Sequence, residues 1–314
     1  MKIIVPTAIR DLLAPQLPAW AEPLWFDRSV GCSGDLADAV AYFRWWSGEP
    51  KLEDVLAAAP GLRWLQTPSA GVDQVLTPTM FARDILLTNS AGVHAIPIAE
   101  FVLGFMLAHA KQLGAFRAAQ AEGRWITHVS PCELYESTLL IIGMGGIGQA
   151  IAERAVAFGV RVYGSRRTPR PLPGVAQVVG SQGWRELLPE ADYVVVAAPL
   201  TPETRGMIDA AAFATMKPTA YLINIARGAL LDEPALIAAL REGRIGGAAL
   251  DTFEREPLPA ESPLWSLPNI TITPHATAYS PRMRERQIAL FLDNLARFQA
   301  GQPLLNVVDK AAGY

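Results

Sequence analysis

Three kinds of side chain in this sequence could do chemistry on a small anion. A histidine titrates near neutral pH and can move a proton. An arginine can grip a carboxylate through two parallel charge-assisted hydrogen bonds. A carboxylate beside a histidine fixes its tautomer and stabilises its charged form. Four histidines are available: His94, His109, His128 and His275. His94 and His109 fall in or near a strongly apolar stretch and read as packing residues, His128 lies in a loop of unassigned role, and His275 follows a short apolar run at 270–273. Arg227 follows another such run, with Gly228 after it. Three glutamates, Glu254, Glu256 and Glu261, share one acidic, proline-rich loop, and chemistry alone does not choose among them.

A second group of residues points to a phosphate-bearing ligand. Residues 143–148 read GMGGIG, directly after the apolar run TLLIIG and at the start of a helical pattern. In that context Gly143 permits a tight turn, Gly145 lets backbone approach a pyrophosphate, and Gly148 lets the helix pack closely on the strand. The amides of Gly146 and Ile147 lie at the helix start, where they attract an anion. Seventeen residues past Gly148 the chain reads Ser165-Arg166-Arg167, where an NAD-binding protein usually carries an acidic residue. A carboxylate would repel a 2′-phosphate and a guanidinium would pair with it, so the reading favours NADP(H), with NAD(H) as the alternative.

The elements that must position these groups alternate in type. Candidate strands at 138–143, 160–164, 192–198, 220–226, 246–250 and 270–273 are brief and apolar on both faces, as strands covered by helices on either side must be. Helix candidates at 147–158, 209–216 and 233–242 lie between them, so the layout predicts a doubly wound parallel sheet of the Rossmann type. The first ninety residues read as a smaller α/β unit with strands in KIIVP, AVAYFRW and RWLQT and a helix over 52–60. One long helix, opened by Pro97, is predicted to run through AEFVLGFMLAHAKQLGAF, greasy nearly all round and therefore buried in a core or against a second subunit. A terminal helix follows Pro281, with Gly301 beyond it.

Composition sets outer limits. The 314 residues suit about two domains; 51% are hydrophobic and 18% charged, which excludes a disordered chain. The net charge of -3 argues against a nucleic-acid partner. Cys32 and Cys132 are too few for a disulfide framework, and no spacing suggests a metal site. The N-terminal apolar run at 3–5 is too short for a signal peptide, and 139–152 and 101–110 are too short or too polar to span a membrane, so no membrane partner and a cytoplasmic location are expected.

The downstream blocks PLTPET (199–204), NIARG (224–228), LDTFEREP (250–257) and TPHAT (273–277), with SAGVD (69–73) and NSAGVHAIPIAEF (89–101) upstream, resemble the D-isomer-specific 2-hydroxyacid dehydrogenases in the correct order over nearly the whole chain. The resemblance implies a catalytic trio of Arg227, Glu256 and His275, the pattern D-x-F-x-x-E-P selecting Glu256. It implies a flavodoxin-like substrate domain from 1–95 and 281–314, and a Rossmann dinucleotide-binding domain with a dimerisation helix over 96–280. Ala70 and Gly71 would meet the substrate carboxylate; Pro199, Thr204, Ala226 and Asp251 would line the cofactor, Asp251 at the nicotinamide carboxamide. The activity implied is hydride transfer between NADP(H) and a small 2-oxo acid/D-2-hydroxy acid pair of the glyoxylate or hydroxypyruvate type, in a homodimer. An NAD-linked dehydrogenase, or a dinucleotide-sensing protein like the corepressors of this fold, are the alternatives. Glu256 stands where formate dehydrogenases carry glutamine, which favours oxo-acid chemistry. Trp45 and Trp46 stand where many members have smaller residues, and one of them facing the substrate would limit its size. The end at Tyr314 implies no regulatory extension.

Overall fold

A computed structural model describes residues 1–27, 31–45 and 51–313; Trp46, one of the two tryptophans that would limit substrate size if it faced the substrate, lies outside the described residues. The chain divides into two units, Met1–His94 with Ser280–Tyr314, and Ala95–Tyr279.

In the first unit the strands are β1 (Lys2–Pro6), β2 (Glu22–Asp27), β3 (Gly31–Cys32), β4 (Ala41–Phe43), β5 (Trp64–Gln66) and β6 (Leu86–Thr88). They form one sheet in the order β3-β2-β1-β4-β5-β6, all parallel except the short β3. Without β3 this is the flavodoxin-like order 2-1-3-4-5. One face is covered by Val55, Leu56 and Met80, the other by Ile288, Phe291 and Leu295 of the C-terminal helix Met283–Gln299. Phe291 stacks between Phe43, at 4.3 Å, and Trp64, at 5.4 Å. Trp45, 5% exposed, packs edge-on against Phe43 and belongs to this core.

The second unit carries β7 (Thr138–Ile142), β8 (Arg161–Ser165), β9 (Val175–Val179), β10 (Tyr193–Val196), β11 (Tyr221–Asn224), β12 (Gly247–Leu250) and β13 (Ile270–Ile272), in the order β13-β12-β11-β10-β7-β8-β9. This is the 3-2-1-4-5-6 order of a doubly wound sheet with one strand added, and every pairing is parallel. β9 has no counterpart among the sequence-predicted strands. It is an edge strand, half-exposed along its length, and lacks the apolar run that marks its neighbours.

The single greasy helix expected over 97–116 is two helices, Ala95–Ala110 and Leu113–Ala121. The break is at Gln112, whose backbone is left-handed (φ 52°). Side chains hold it there: Lys111 Nζ donates to the Cys132 carbonyl at 2.8 Å and Gln112 Nε2 to the Ser130 carbonyl at 3.0 Å. On the first helix Val102, Leu103 and Met106 are buried, while Phe101 and Ile96 remain exposed. His109 stacks on Tyr221 at 4.0 Å, and burial pulls its pKa below the ordinary value. Among the described residues no helix is long and apolar enough to cross a membrane.

Candidate active site

Ligands of a doubly wound sheet gather outside the carboxyl ends of its strands. At the end of β7 the glycine turn begins. Gly143 has φ 109°, and a Cβ there would lie 2.5 Å from the Ala197 backbone, so only glycine lets β7 and the segment after β10 approach so closely. A Cβ on Gly148 would lie 2.3 Å from the Gly143 carbonyl oxygen, whereas one on Gly145 would meet open space. Turn and helix are thus locked together, and the surface at Gly145 is bare. The helix Gly146–Ala157 starts here, and its first-turn amides, Gly146, Ile147 and Gly148, have no intrahelical acceptor. The end of β8 abuts the same turn, because the carbonyl of Ser165 accepts from the amides of Gly143 and Met144 at 3.1 and 2.8 Å. Arg166 follows, with its Nη1 buried and unpartnered. A bare backbone cradle, open helix amides and a buried guanidinium nitrogen without an acceptor fit a dinucleotide that carries a 2′-phosphate.

The PLTPET turn after β10 is closed by Thr204, whose hydroxyl donates to the Pro199 carbonyl at 2.7 Å and accepts from the Thr201 amide. After β11, the buried side chain of Asn224 ties the next turn: Oδ1 accepts from the Ala226 amide and Nδ2 donates to the Arg227 carbonyl. The Arg227 guanidinium donates to the Ala226 carbonyl at 2.8 Å through Nη1. Asn224 was not picked out from the sequence; it reads there as one more strand residue.

Three distant stretches then converge. A Cβ on Gly228 would sit 1.9 Å from the Phe253 carbonyl carbon and 2.2 Å from the Glu254 nitrogen, so the backbone beside Arg227 rests directly on the loop that carries Glu256. The Phe253 amide donates to Glu256 Oε1 at 3.0 Å, and His275 Nδ1 lies 2.8 Å from Glu256 Oε2. Nδ1–H therefore donates to the carboxylate, which leaves Nε2 for another partner. Of the three glutamates in the acidic loop, Glu256 is the one paired with the histidine. Gly228→Ala is expected to lower stability by about 1–3 kcal/mol, since backbone rather than a flexible side chain would have to move. Thermal melting with and without NADPH would check it.

His275 itself is held in a left-handed conformation, φ 52°, which a non-glycine residue keeps only when its surroundings impose it. The buried Asp251 imposes it. Oδ1 accepts from Thr273 Oγ1 at 2.6 Å and the Ala276 amide at 2.8 Å; Oδ2 accepts from the Thr277 amide at 3.1 Å and Thr277 Oγ1 at 2.5 Å. A carboxylate offers about four lone-pair sites, and all are filled from the 273–277 loop. Asp251 thus clamps the loop of the histidine, a role the sequence reading did not give it. Thr273 and Thr277 were missed as partners, since nothing in local sequence pattern pairs residues 22 and 26 positions apart.

In the first unit the five carbonyls from Thr67 to Gly71, which lead into and through the start of the SAGVD loop, are each occupied. The carbonyls of Thr67, Pro68, Ser69, Ala70 and Gly71 accept from Ser90 Oγ, Gln287 Nε2, the Ser90 amide, Asn89 Nδ2 and Ser69 Oγ respectively. Among the described residues, the amides of Ser69, Ala70, Gly71 and Val72 donate to no group of the protein. With these carbonyls bound and these amides without an acceptor in the protein, the segment keeps backbone donors in reserve.

The family model described as D-isomer specific 2-hydroxyacid dehydrogenase, NAD binding domain, matches residues 103–277. A glyoxylate reductase of Korarchaeum cryptofilum is 36% identical over 271 residues, covering 83% of this chain and 80% of that protein. A D-isomer specific 2-hydroxyacid dehydrogenase of Xanthobacter autotrophicus Py2, solved with NADPH and MES, superposes with a TM-score of 0.87 at 33% identity over 100% of this chain and 99% of that one. An NADPH-dependent glyoxylate/hydroxypyruvate reductase of Sinorhizobium meliloti, solved with NADP and sulfate, gives the same TM-score at 31% identity and the same coverage. The glycine cradle, the Glu256–His275 pair and these likenesses over nearly the full length lead to one conclusion: the chain belongs to the D-isomer specific 2-hydroxyacid dehydrogenase family, as an NAD(P)-dependent enzyme that interconverts 2-oxo and 2-hydroxy acids.

Proposed function

We propose that this enzyme works as a reductase of small 2-oxo acids of the glyoxylate or hydroxypyruvate type, with NADPH preferred over NADH. The observation that carries the reading is the 2.8 Å contact between His275 Nδ1 and Glu256 Oε2, which presents Nε2 as a proton donor beside a turn bearing Arg227. When bound, the nicotinamide supplies the hydride that this chemistry needs. The protein's part is to hold and protonate. His275 gives its Nε2 proton to the oxygen on which negative charge develops, and Glu256 orients the ring through its contact with Nδ1. Arg227 aligns the substrate's carboxylate and carbonyl. In the first unit, the amides at 69–72 read as an anion nest suited to a carboxylate. Asp251, through its four hydrogen bonds, keeps His275 in place.

Cofactor choice rests on Arg166 and Arg167. With both changed to alanine, the NADPH Michaelis constant is expected to rise about tenfold or more, the loss of about one charge-assisted contact, while that for NADH stays the same. Parallel titrations of the two cofactors with glyoxylate check this, and an unchanged NADPH constant would mean NADP is not selected there. Loss of NADPH absorbance with glyoxylate or hydroxypyruvate would also separate an enzyme from a dinucleotide-sensing binding protein. The exposed Phe101, Leu113 and Phe116 support a homodimer, and the chemistry suits the cytoplasm, where NADPH is available.

A further inference from the structure

The Pro68 carbonyl receives two side chains rather than one. Gln287 Nε2 donates to it at 2.7 Å and His94 Nε2 lies 2.9 Å from it. A carbonyl only accepts, so His94 must carry its proton on Nε2. The two come from opposite ends of the first unit, Gln287 from 219 positions away on the C-terminal helix. Gln287 is fully buried and its Oε1 has no partner. An unpaired buried acceptor on a helix face that also buries Ile288, Phe291, Asn294 and Leu295 is a departure that packing does not explain, since a leucine would fill the same space. One turn pair along the same stripe, the buried Asn294 donates through Nδ2 to Gln66 Oε1 at 3.1 Å. Both buried amides of the helix thus reach the carboxyl end of β5, where the 67–71 loop begins.

We infer that Gln287 and His94 are positioning residues for substrate: by holding the Pro68 carbonyl inward they turn the following amides outward as a carboxylate-binding nest. The inference rests on the reading of that nest given above. Pro68 has no amide of its own, so its carbonyl is the handle by which the loop can be rotated. The other carbonyls are held from within the loop or from Asn89 and Ser90 next to β6, and only Pro68 is tied to the C-terminal helix. Neither side chain needs to touch substrate, and displacement of a binding loop by a fraction of an ångström is enough to weaken a multi-point contact.

The test is steady-state kinetics with glyoxylate as the varied substrate. Gln287→Leu and His94→Leu are each expected to raise the glyoxylate KM about tenfold, with kcat within about twofold and the NADPH KM unchanged. His94→Gln, which keeps an N–H donor, should return the glyoxylate KM to within about threefold of the parent. A merely structural role would lower kcat and active fraction together and leave the ratio of the two Michaelis constants alone; that result, or unchanged kinetics in both leucine variants, overturns the inference. If Gln287→Leu does not fold, the His94 pair decides. Ala70→Pro, which deletes one nest amide, separates the two levels. If it leaves the glyoxylate KM unaltered the nest reading falls and takes this inference with it; if it raises KM while the leucine variants do not, the nest stands and only the positioning role is lost.

Discussion

His275→Ala is expected to lower kcat for glyoxylate reduction by about 10²–10⁴-fold, the range by which a positioned general acid accelerates proton transfer. The NADPH KM should stay near that of the parent, because the cofactor cradle is built from other strand ends. Water cannot replace the imidazole well. The donor must be aimed, and three features provide that here: the 2.8 Å bond to Glu256, the left-handed backbone at His275, and the four hydrogen bonds by which Asp251 fixes the 273–277 segment. Single-turnover absorbance decay with saturating NADPH isolates the chemical step. A His275→Ala enzyme that turns over at the parent rate would remove the proton-transfer assignment altogether.

Arg227→Ala is expected to cost comparably, but in a different constant. Two parallel contacts to a carboxylate, each contributing about 1.5–3 kcal/mol, sum to about 3–6 kcal/mol, or roughly 10²–10⁴ in kcat/KM for the oxo acid. Arg227→Lys should recover only part of this, since an ammonium is a point charge without the planar fork. The two substitutions can be told apart kinetically: losing the proton donor acts on kcat, losing the anion grip acts on KM as well. The backbone around Arg227 is held by Asn224 and by the direct contact of Gly228 with Phe253, so shortening the side chain should leave the fold and the melting temperature nearly unchanged. A kcat/KM within threefold of the parent would refute its role.

The doubly wound unit could be read from sequence because its strands are buried on both faces and so appear as unbroken apolar runs: Val194, Val195 and Val196 of β10 are each fully buried. The glycine turn was legible for the same local reason, six residues carrying their own geometry. Legibility fails where a contact joins residues far apart. Chemistry alone left three glutamates open in one loop; the family pattern selected Glu256, and its meeting with His275, 19 positions on, supplies the physical reason. Asp251 was picked out but its hold on the 273–277 segment was not, because four donors from one segment cannot be inferred from a strand-end aspartate. The half-exposed β9, the two- and three-residue strands β3 and β6, and the break at Gln112 were missed because short or mixed patterns carry little periodic signal.

The first unit is assembled from two ends of the polypeptide, and this sets the order in which the protein is completed on the ribosome. Ala95–Tyr279 is continuous and can close on itself as it emerges. The sheet face formed by Ile3, Val5, Phe43 and Trp64 must wait for Phe291 and Leu295. At roughly 5–20 residues per second, the intervening 185 or so residues take on the order of 10–40 s to synthesise. Nascent chains of this enzyme therefore spend that interval with an uncovered apolar sheet while the cofactor unit is still being made, the stage at which a chaperone that shields nascent hydrophobic surface has most to bind.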